Sequence, residues 1–339
     1  MKNDVSRIMI ESVVKKAIKD IKENPRRNIR NLVDMAVQFS PKGQQSGFFL
    51  AAQAMLKNEN SPYYDMIYKN ISLSEEQRIL NFGMNVGYNG LFMGADEIRK
   101  NERKYGFHIP WIISLEISKD SWSENKQNII DLIAQGRQLG IYNWILFVDD
   151  EIFDIGDIAG LYSDCAFFLF IEGDRISPRL VECIYEYKNI MPVCSFDEDN
   201  TSVYQEMRRQ GILFSIYIRY GQCDIQSIIN GEMIFPVLQH YPVFTVLVAD
   251  GDCPQVIRKL AYNEAEQSRI KQKYCTVLWE LDCNNRKIDA IVSKSAQGVY
   301  FDKNGNLQMW HGTAHKSVFN VFEKGLKTVL KENFAENMR

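Results

Sequence analysis

Two textures of hydrophobic placement divide the chain. Up to about residue 105, apolar positions recur at helical spacing with no convincing strand. Ile10, Val13, Val14, Ala17, Ile18 and Ile21 form one such stripe, and 43–57, 74–86 and 93–104 read as further helices. The segment NVGYNGLFMG at 85–94 is glycine-rich and aromatic, which predicts a turn. From 110 onward, short apolar runs alternate with helical patterns. The runs are WIISLE (111–116), NWILFVD (143–149), AFFLFI (166–171), IMPVCS (190–195), ILFSIYI (212–218) and VFTVLVAD (243–250). Strands apolar on both faces and separated by helices imply parallel β/α units. Gly140 and Gly211 stand where the intervening helices should stop. Six units of this kind suit a partial barrel, and a full eight-stranded barrel needs two more strands than these runs supply.

After 251 the alternation ends. PQVIRKLAYNEAEQSRIKQKY reads as a helix and KYCTVLWELD as a candidate strand. GVYFDKNGNLQMW predicts a hairpin, because Asn304-Gly305 supplies the positive φ that a tight turn requires. VFNVFEKGLKTVLKENF reads as a closing helix. The fold class expected is α/β: a helical N-terminal region over 1–105, a partial parallel (β/α)6 barrel over 106–251, and a small α+β extension over 252–339.

This succession resembles the radical SAM barrel. In that family the second strand ends in a Gly-Gly-Glu motif that holds the amino group of S-adenosylmethionine; the matching stretch is LFVDDEIFD, where Asp149-Asp150-Glu151 keeps the carboxylate and lacks both glycines. The C-terminal stretch resembles the auxiliary-cluster, SPASM-type region of such enzymes. Gly298, Asn304-Gly305 and Asn320 fit that pattern, while Ser295 or Ala296 and Trp310 stand where cysteines belong. The resemblance also implies Cys-x-x-x-Cys-x-x-Cys just after the first strand, three thiolates holding an iron–sulfur cluster with one iron left open. There the chain reads ISKDSWSENKQ, with neither cysteine nor histidine. The expectation is therefore a degenerate barrel, a pseudoenzyme that holds no cofactor and carries out no radical step.

Charge and cysteine usage narrow the classes further. The net charge of −3 gives no electrostatic footprint for nucleic acid. Residues 1–30 carry nine Lys/Arg and four Asp/Glu, so a basic N-terminal helix face precedes an acidic remainder. No apolar stretch reaches the length of a membrane span, about 18 residues, and charges interrupt the N-terminus too often for a signal peptide. A cytoplasmic protein without membrane or nucleic-acid partners is expected. The seven cysteines are widely spaced and form no Cys-x-x-Cys pair, so they read as small buried hydrophobes.

Functional groups of parallel barrels collect at the C-terminal ends of strands. Those ends hold Glu116, Asp149, Asp150, Glu151, Glu172, Asp197, Arg219 and Asp250, an acidic rim with one cation. Such a rim suits an amine-bearing ligand, a hard metal or a carboxylate pair for acid–base work, and it is also the ordinary composition of loops. His311 and His315, four apart, lack a third metal ligand. The aromatic side chains of the strands, Phe167, Phe168, Phe170, Phe214 and Tyr217, read as core. No catalytic residue and no metal site is assigned. The expected function is a non-radical protein binding an unidentified small molecule or protein partner. Its alternatives are a metal-assisted hydrolase using the acidic mouth and a scaffold subunit for an active radical SAM partner.

Overall fold

A computed structural model of the protein describes residues 2–39, 50, 52–148, 154–172, 176–293, 295, 298–308 and 319–335. The chain forms two compact units, Met1–Met84 with Phe196–Leu281, and Asn85–Ser195 with Asp282–Arg339. The strands are, in chain order, β1 (Ile112–Ile117), β2 (Asn143–Val148), β3 (Ala166–Ile171), β4 (Ile190–Ser195), β5 (Ser215–Tyr220), β6 (Phe244–Ala249), β7 (Val277–Glu280), β8 (Val299–Phe301) and β9 (Leu307–Gln308). Six of them, β1 to β6, fall on the six apolar runs.

The second unit carries β1 to β4 as parallel neighbours in sequence order. β8 adds to the free side of β1, again in parallel, and β9 returns antiparallel to it. The long helix Lys119–Leu139 connects β1 to β2. Ser118 starts it by accepting from the Ser121 amide at 3.2 Å, and Gly140 ends it in the left-handed region at φ 101°. Ser177 and Pro178 start the helix Pro178–Glu186 in the same manner. Trp144 of β2 is fully buried, and a Cβ placed on Gly136 of the long helix would lie 2.5 Å from its ring. Helix and sheet therefore meet at a distance that only glycine permits.

The first unit carries β5, β6 and β7 as parallel neighbours. Its N-terminal portion is helical, with Lys2–Glu23, Pro25–Phe39, Pro62–Leu73 and Glu76–Gly83. Ala17, Ile18 and Ile21 of the expected stripe are buried. The helix expected over 43–57 lies partly outside the described residues.

Three local differences from the sequence reading have physical causes. Met84–Gly94 is a wide-turned π-helix rather than a turn. Asn85 and Asn89 stabilise it by donating to the carbonyls of Ser163, Cys165 and Asp164 at 2.8–2.9 Å, so backbone groups beyond the helix hold its register. The parallel strands exceed the six expected, because β7 joins β6 and β8 joins β1. The closing helix is two helices, Val321–Lys324 and Leu326–Phe334, broken at Gly325 with φ 75° and ψ 153°, a conformation no helix continues through.

The expected hairpin is present as β8 and β9. Gly305 adopts φ 81° and its amide donates to the Asp302 carbonyl at 2.9 Å. A Cβ there would lie 2.5 Å from the Phe322 ring. Gly305→Val is expected to destabilise the protein by about 2–4 kcal/mol, from left-handed strain plus this overlap. Chemical denaturation checks it, and an unchanged midpoint would remove the hairpin from this position.

Candidate functional site

The two faces of the sheet in the second unit differ in cover. Trp144 faces the long helix, and its register neighbours Ile113 and Phe167 are buried with it. Side chains alternate along a strand, so the residues between them form the opposite face. There the row Glu116, Phe147, Phe170 and Val193 runs across β1 to β4 at their C-terminal ends. Glu116, Phe147 and Phe168 are half-buried on this face, whereas every residue of the helix-facing row is buried.

Tyr300 of β8 lies on the same face, in register with Ser114 and so one pleat before Glu116. Its hydroxyl donates to Glu116 Oε1. Its ring stands edge-on to Phe147, with centroids 6.1 Å apart and planes at 83°. Phe147 in turn meets Phe170 at 4.8 Å and 41°. The carboxylate on β1 thus lies between the strand of Tyr300 and the strand of Phe147, with Phe170 one strand beyond. The sequence reading assigned the strand aromatics to the core. Phe167, Phe170, Phe214 and Tyr217 are buried as expected, and Phe168 is half-buried. Tyr300 and Phe147 carried no signal of their own, because runs apolar on both faces do not reveal which face the helices cover.

Other strand ends divide between the units. In the second unit, Glu172 follows β3 and is half-buried. In the first unit, Asp197 accepts from the Asp199 amide at 2.9 Å and from Asn200 Nδ2 at 3.3 Å, so its carboxylate holds a turn. Arg219 is exposed above the Tyr217 ring at 5.7 Å. Asp250 follows β6, and its carbonyl accepts from Arg258 Nη2 at 2.8 Å. Asp149, Asp150 and Glu151 lie outside the described residues, as do Ala296, Trp310, His311 and His315. Among the described residues, no group of three His, Cys, Asp or Glu is placed to hold a metal ion.

The residues after β1 do not fit an iron–sulfur cluster. Ser118 and Ser121 are occupied with each other, Ser121 Oγ accepting from the Ser118 amide at 2.9 Å and donating to the Ser118 carbonyl at 3.1 Å. Trp122 Nε1 donates to Asp154 at 3.2 Å, and Lys126 bridges Asp154 and Asp157 at 3.2 and 2.9 Å. The first cysteine of the chain is Cys165, far downstream. Burial pushes the thiols of Cys165 and Cys194 up, away from the thiolate form that binds iron.

A second buried cluster lies in the first unit. The Arg208 guanidinium is lowered to about 10 by burial and stacks over Phe214 at 4.2 Å. It donates to Asn70 Oδ1 at 3.2 Å and to the carbonyls of His240 and Tyr241. Burial first, and then Arg208, pushes His240 below its ordinary value.

No family model matches the chain, and no curated protein matches it. The fold is similar to that of SuiB from Streptococcus suis. The structure of SuiB bound to S-adenosylmethionine aligns with a TM-score of 0.51 at 11% identity, over 73% of this chain and 69% of that one. The structure of SuiB bound to its precursor peptide SuiA aligns with a TM-score of 0.52 at 13% identity, over 73% and 70%. This finding corrects the expectation of a non-radical binding protein, and with it the hydrolase and scaffold alternatives: the structures that share the fold are complexes of one protein with S-adenosylmethionine and with a precursor peptide. No helix among the described residues is long and apolar enough to cross a membrane. The chain carries the radical-SAM-like α/β fold, with parallel strands and flanking helices.

Proposed function

We propose that this chain is a peptide-acting enzyme of the radical-SAM-like fold, with S-adenosylmethionine as its small molecule. The observation that supports this is the likeness, over most of the chain, to SuiB bound to precursor peptide SuiA. The same scaffold bound to S-adenosylmethionine supports the second half. No electron-transfer step is assigned, because the loop after β1 supplies no thiol. Glu116 and Glu172, at two strand ends of the second unit, are the ligand-contacting side chains on this reading. We read the hairpin of β8 and β9 as the counterpart of the SPASM-type region, retained for its shape. Gly298 and Gly305 hold positive φ, and Asn320 accepts from the Phe322 amide at 2.8 Å.

The test is a peptide selection. The purified chain is immobilised and offered a displayed random peptide library, with and without S-adenosylmethionine. The expected result is an enriched consensus whose synthetic peptide binds saturably and changes mass when incubated with chain and S-adenosylmethionine. A selection no richer than an empty matrix would end the peptide reading, and a bound peptide of unchanged mass would end the enzymatic one.

A further inference from the structure

We infer that Tyr105 of the second unit is a nucleophilic phenol and the acceptor of a phosphoryl group from an activated, negatively charged donor. The inference stands apart from the peptide reading and uses none of its side chains.

Local structure brings two lysines to this tyrosine. The helix Ala95–Tyr105 stops at Gly106, which enters the left-handed region at φ 71°. Tyr105 is therefore the last residue of its helix, and Lys104 stands beside it. The segment that follows is tied to the C-terminal helix Leu326–Phe334. The His108 amide donates to the Phe334 carbonyl at 3.0 Å, and Phe107 pairs with Ala335. This docking sets Lys327, in the first turn of that helix, against the Tyr105 ring. Lys327 Nζ lies 3.7 Å from the ring centroid and Lys104 Nζ 4.9 Å. The ring also stacks on Phe107, with centroids 5.9 Å apart and planes at 15°, which fixes its orientation. Tyr105 is half-buried, and both lysines are exposed.

Two ammonium groups at one phenol favour its ionised, nucleophilic form. Hydrogen bonding from Lys104, with the charges of Lys104 and Lys327, holds Tyr105 below the usual tyrosine range, while burial opposes the shift. The contrast within the chain is sharp: Tyr63, Tyr142 and Tyr220 are all pushed up, by burial first. Among the described residues, no carboxylate is paired with Lys104 or Lys327, so no internal anion neutralises them.

That uncompensated charge selects the donor. In the transfer, the phenolate oxygen attacks phosphorus and the new O–P bond forms as the bond to the leaving group breaks. The leaving group departs with the electron pair, and the phenolic proton passes through water to it. The donor arrives negative, and the product is a phosphate ester of about −1.5 to −2 charge at neutral pH. Two ammonium groups attract the first and stabilise the second. A neutral acyl donor would gain from the nucleophile alone, and a cationic donor would be repelled.

The full chain is incubated with N-phosphorylimidazole or with N-acetylimidazole, which share a leaving group and differ in charge. Occupancy at each tyrosine is followed by peptide mass spectrometry. Tyr185 is the internal reference, 45% exposed and with one lysine, Lys188, 4.0 Å from its ring centroid. Acetylation of Tyr105 is expected to run about fivefold faster than that of Tyr185, the factor one further unit charge about 4 Å away gives at the dielectric of water. Equal rates would overturn the nucleophile. The preference for Tyr105 should be about threefold larger again with the phosphoryl donor, through attraction of the anion. An equal or smaller preference, or no phosphoryl transfer to Tyr105, would overturn the donor class. Lys327→Met is expected to slow Tyr105 acetylation about fivefold, and Lys327→Arg to keep it within about twofold because the charge is retained. An unchanged rate in Lys327→Met, at an unchanged unfolding midpoint, would overturn the inference. If that variant does not fold, Lys104→Met takes its place, with the same expectation and the same overturning result.

Discussion

Asp289→Ala is expected to lower the unfolding free energy by about 2–5 kcal/mol, one of the largest effects a single substitution has in this protein. Asp289, on the helix Leu281–Val292, is 1% exposed. One carboxylate oxygen accepts from the Trp111 amide at 2.8 Å and the other from the Gly298 amide at 3.0 Å. It therefore ties the residue before β1 to the residue before β8. Alanine would leave both amides buried without that acceptor, each at a cost of about 1–3 kcal/mol.

The same carboxyl links stability to pH. Burial raises it to about 7, against the opposing effect of the two amide hydrogen bonds; Glu102 adds to the rise and Arg286 opposes it. In the unfolded chain the group titrates near the ordinary value of about 3.9. The folded value is the higher one, so the folded state binds the proton more tightly. The group's contribution is then fully present below about pH 4 and is lost as pH rises through 7. The loss is on the order of 4 kcal/mol across that window, by about 1.4 kcal/mol per unit. Asp289→Asn isolates it, because asparagine keeps one acceptor and does not titrate. The stability of the natural protein minus that of Asp289→Asn should fall between pH 4 and 7 and level off above 8. A flat difference would show that the carboxyl is ionised throughout.

Trp144→Ala is expected to cost about 3–5 kcal/mol, the usual loss for a large aromatic deleted from a packed core. Trp144 is fully buried between Ile113 and Phe167 on the neighbouring strands. Its ring lies where a Gly136 side chain would be, 2.5 Å from an added Cβ. Gly136→Ala should therefore destabilise as well, by about 1–3 kcal/mol through overpacking against the Trp144 ring. The two sites share one volume, so their effects should not add. In a Trp144→Phe background, Gly136→Ala should cost at least 1 kcal/mol less than in the natural protein. Denaturant titration of the four proteins gives the coupling, and additivity would separate the two residues.

Both predictions depend on contacts that differ in how far they could be read in advance. The succession of β/α units was legible, because a strand covered on both faces must be apolar at every position. Runs such as AFFLFI stand out against the amphipathic helices around them. The helix end at Gly140 was legible for a local reason, since left-handed backbone depends on the residue itself, whereas the start at Ser118 lay in a stretch that reads as the loop after β1. The π-helix at Met84–Gly94 was not, because its glycines and aromatics read as a turn until the carbonyls of Ser163, Asp164 and Cys165 are placed beside Asn85 and Asn89.

The candidate site shows the division most clearly. Reading strand ends located Glu116, because position along a parallel strand follows from the run that contains it. The function drawn from the missing cysteines did not survive comparison with SuiB, since a loop without thiols excludes one ligand set and says little about what else the scaffold binds. What the sequence by itself determined was the order and place of β1 to β6 and the carboxylate at the end of β1. Only the tertiary structure decided which face of an all-apolar strand the helices cover, and so which of Phe147 and Trp144 is half-open and which is sealed. It also decided that a hairpin strand from the far end of the chain lies beside β1, bringing Tyr300 to Glu116 across 184 residues of sequence. The physical reason is range: strand propensity and helix capping are settled by neighbours in sequence, whereas pairing partner and covered face are settled by packing between segments distant in the chain.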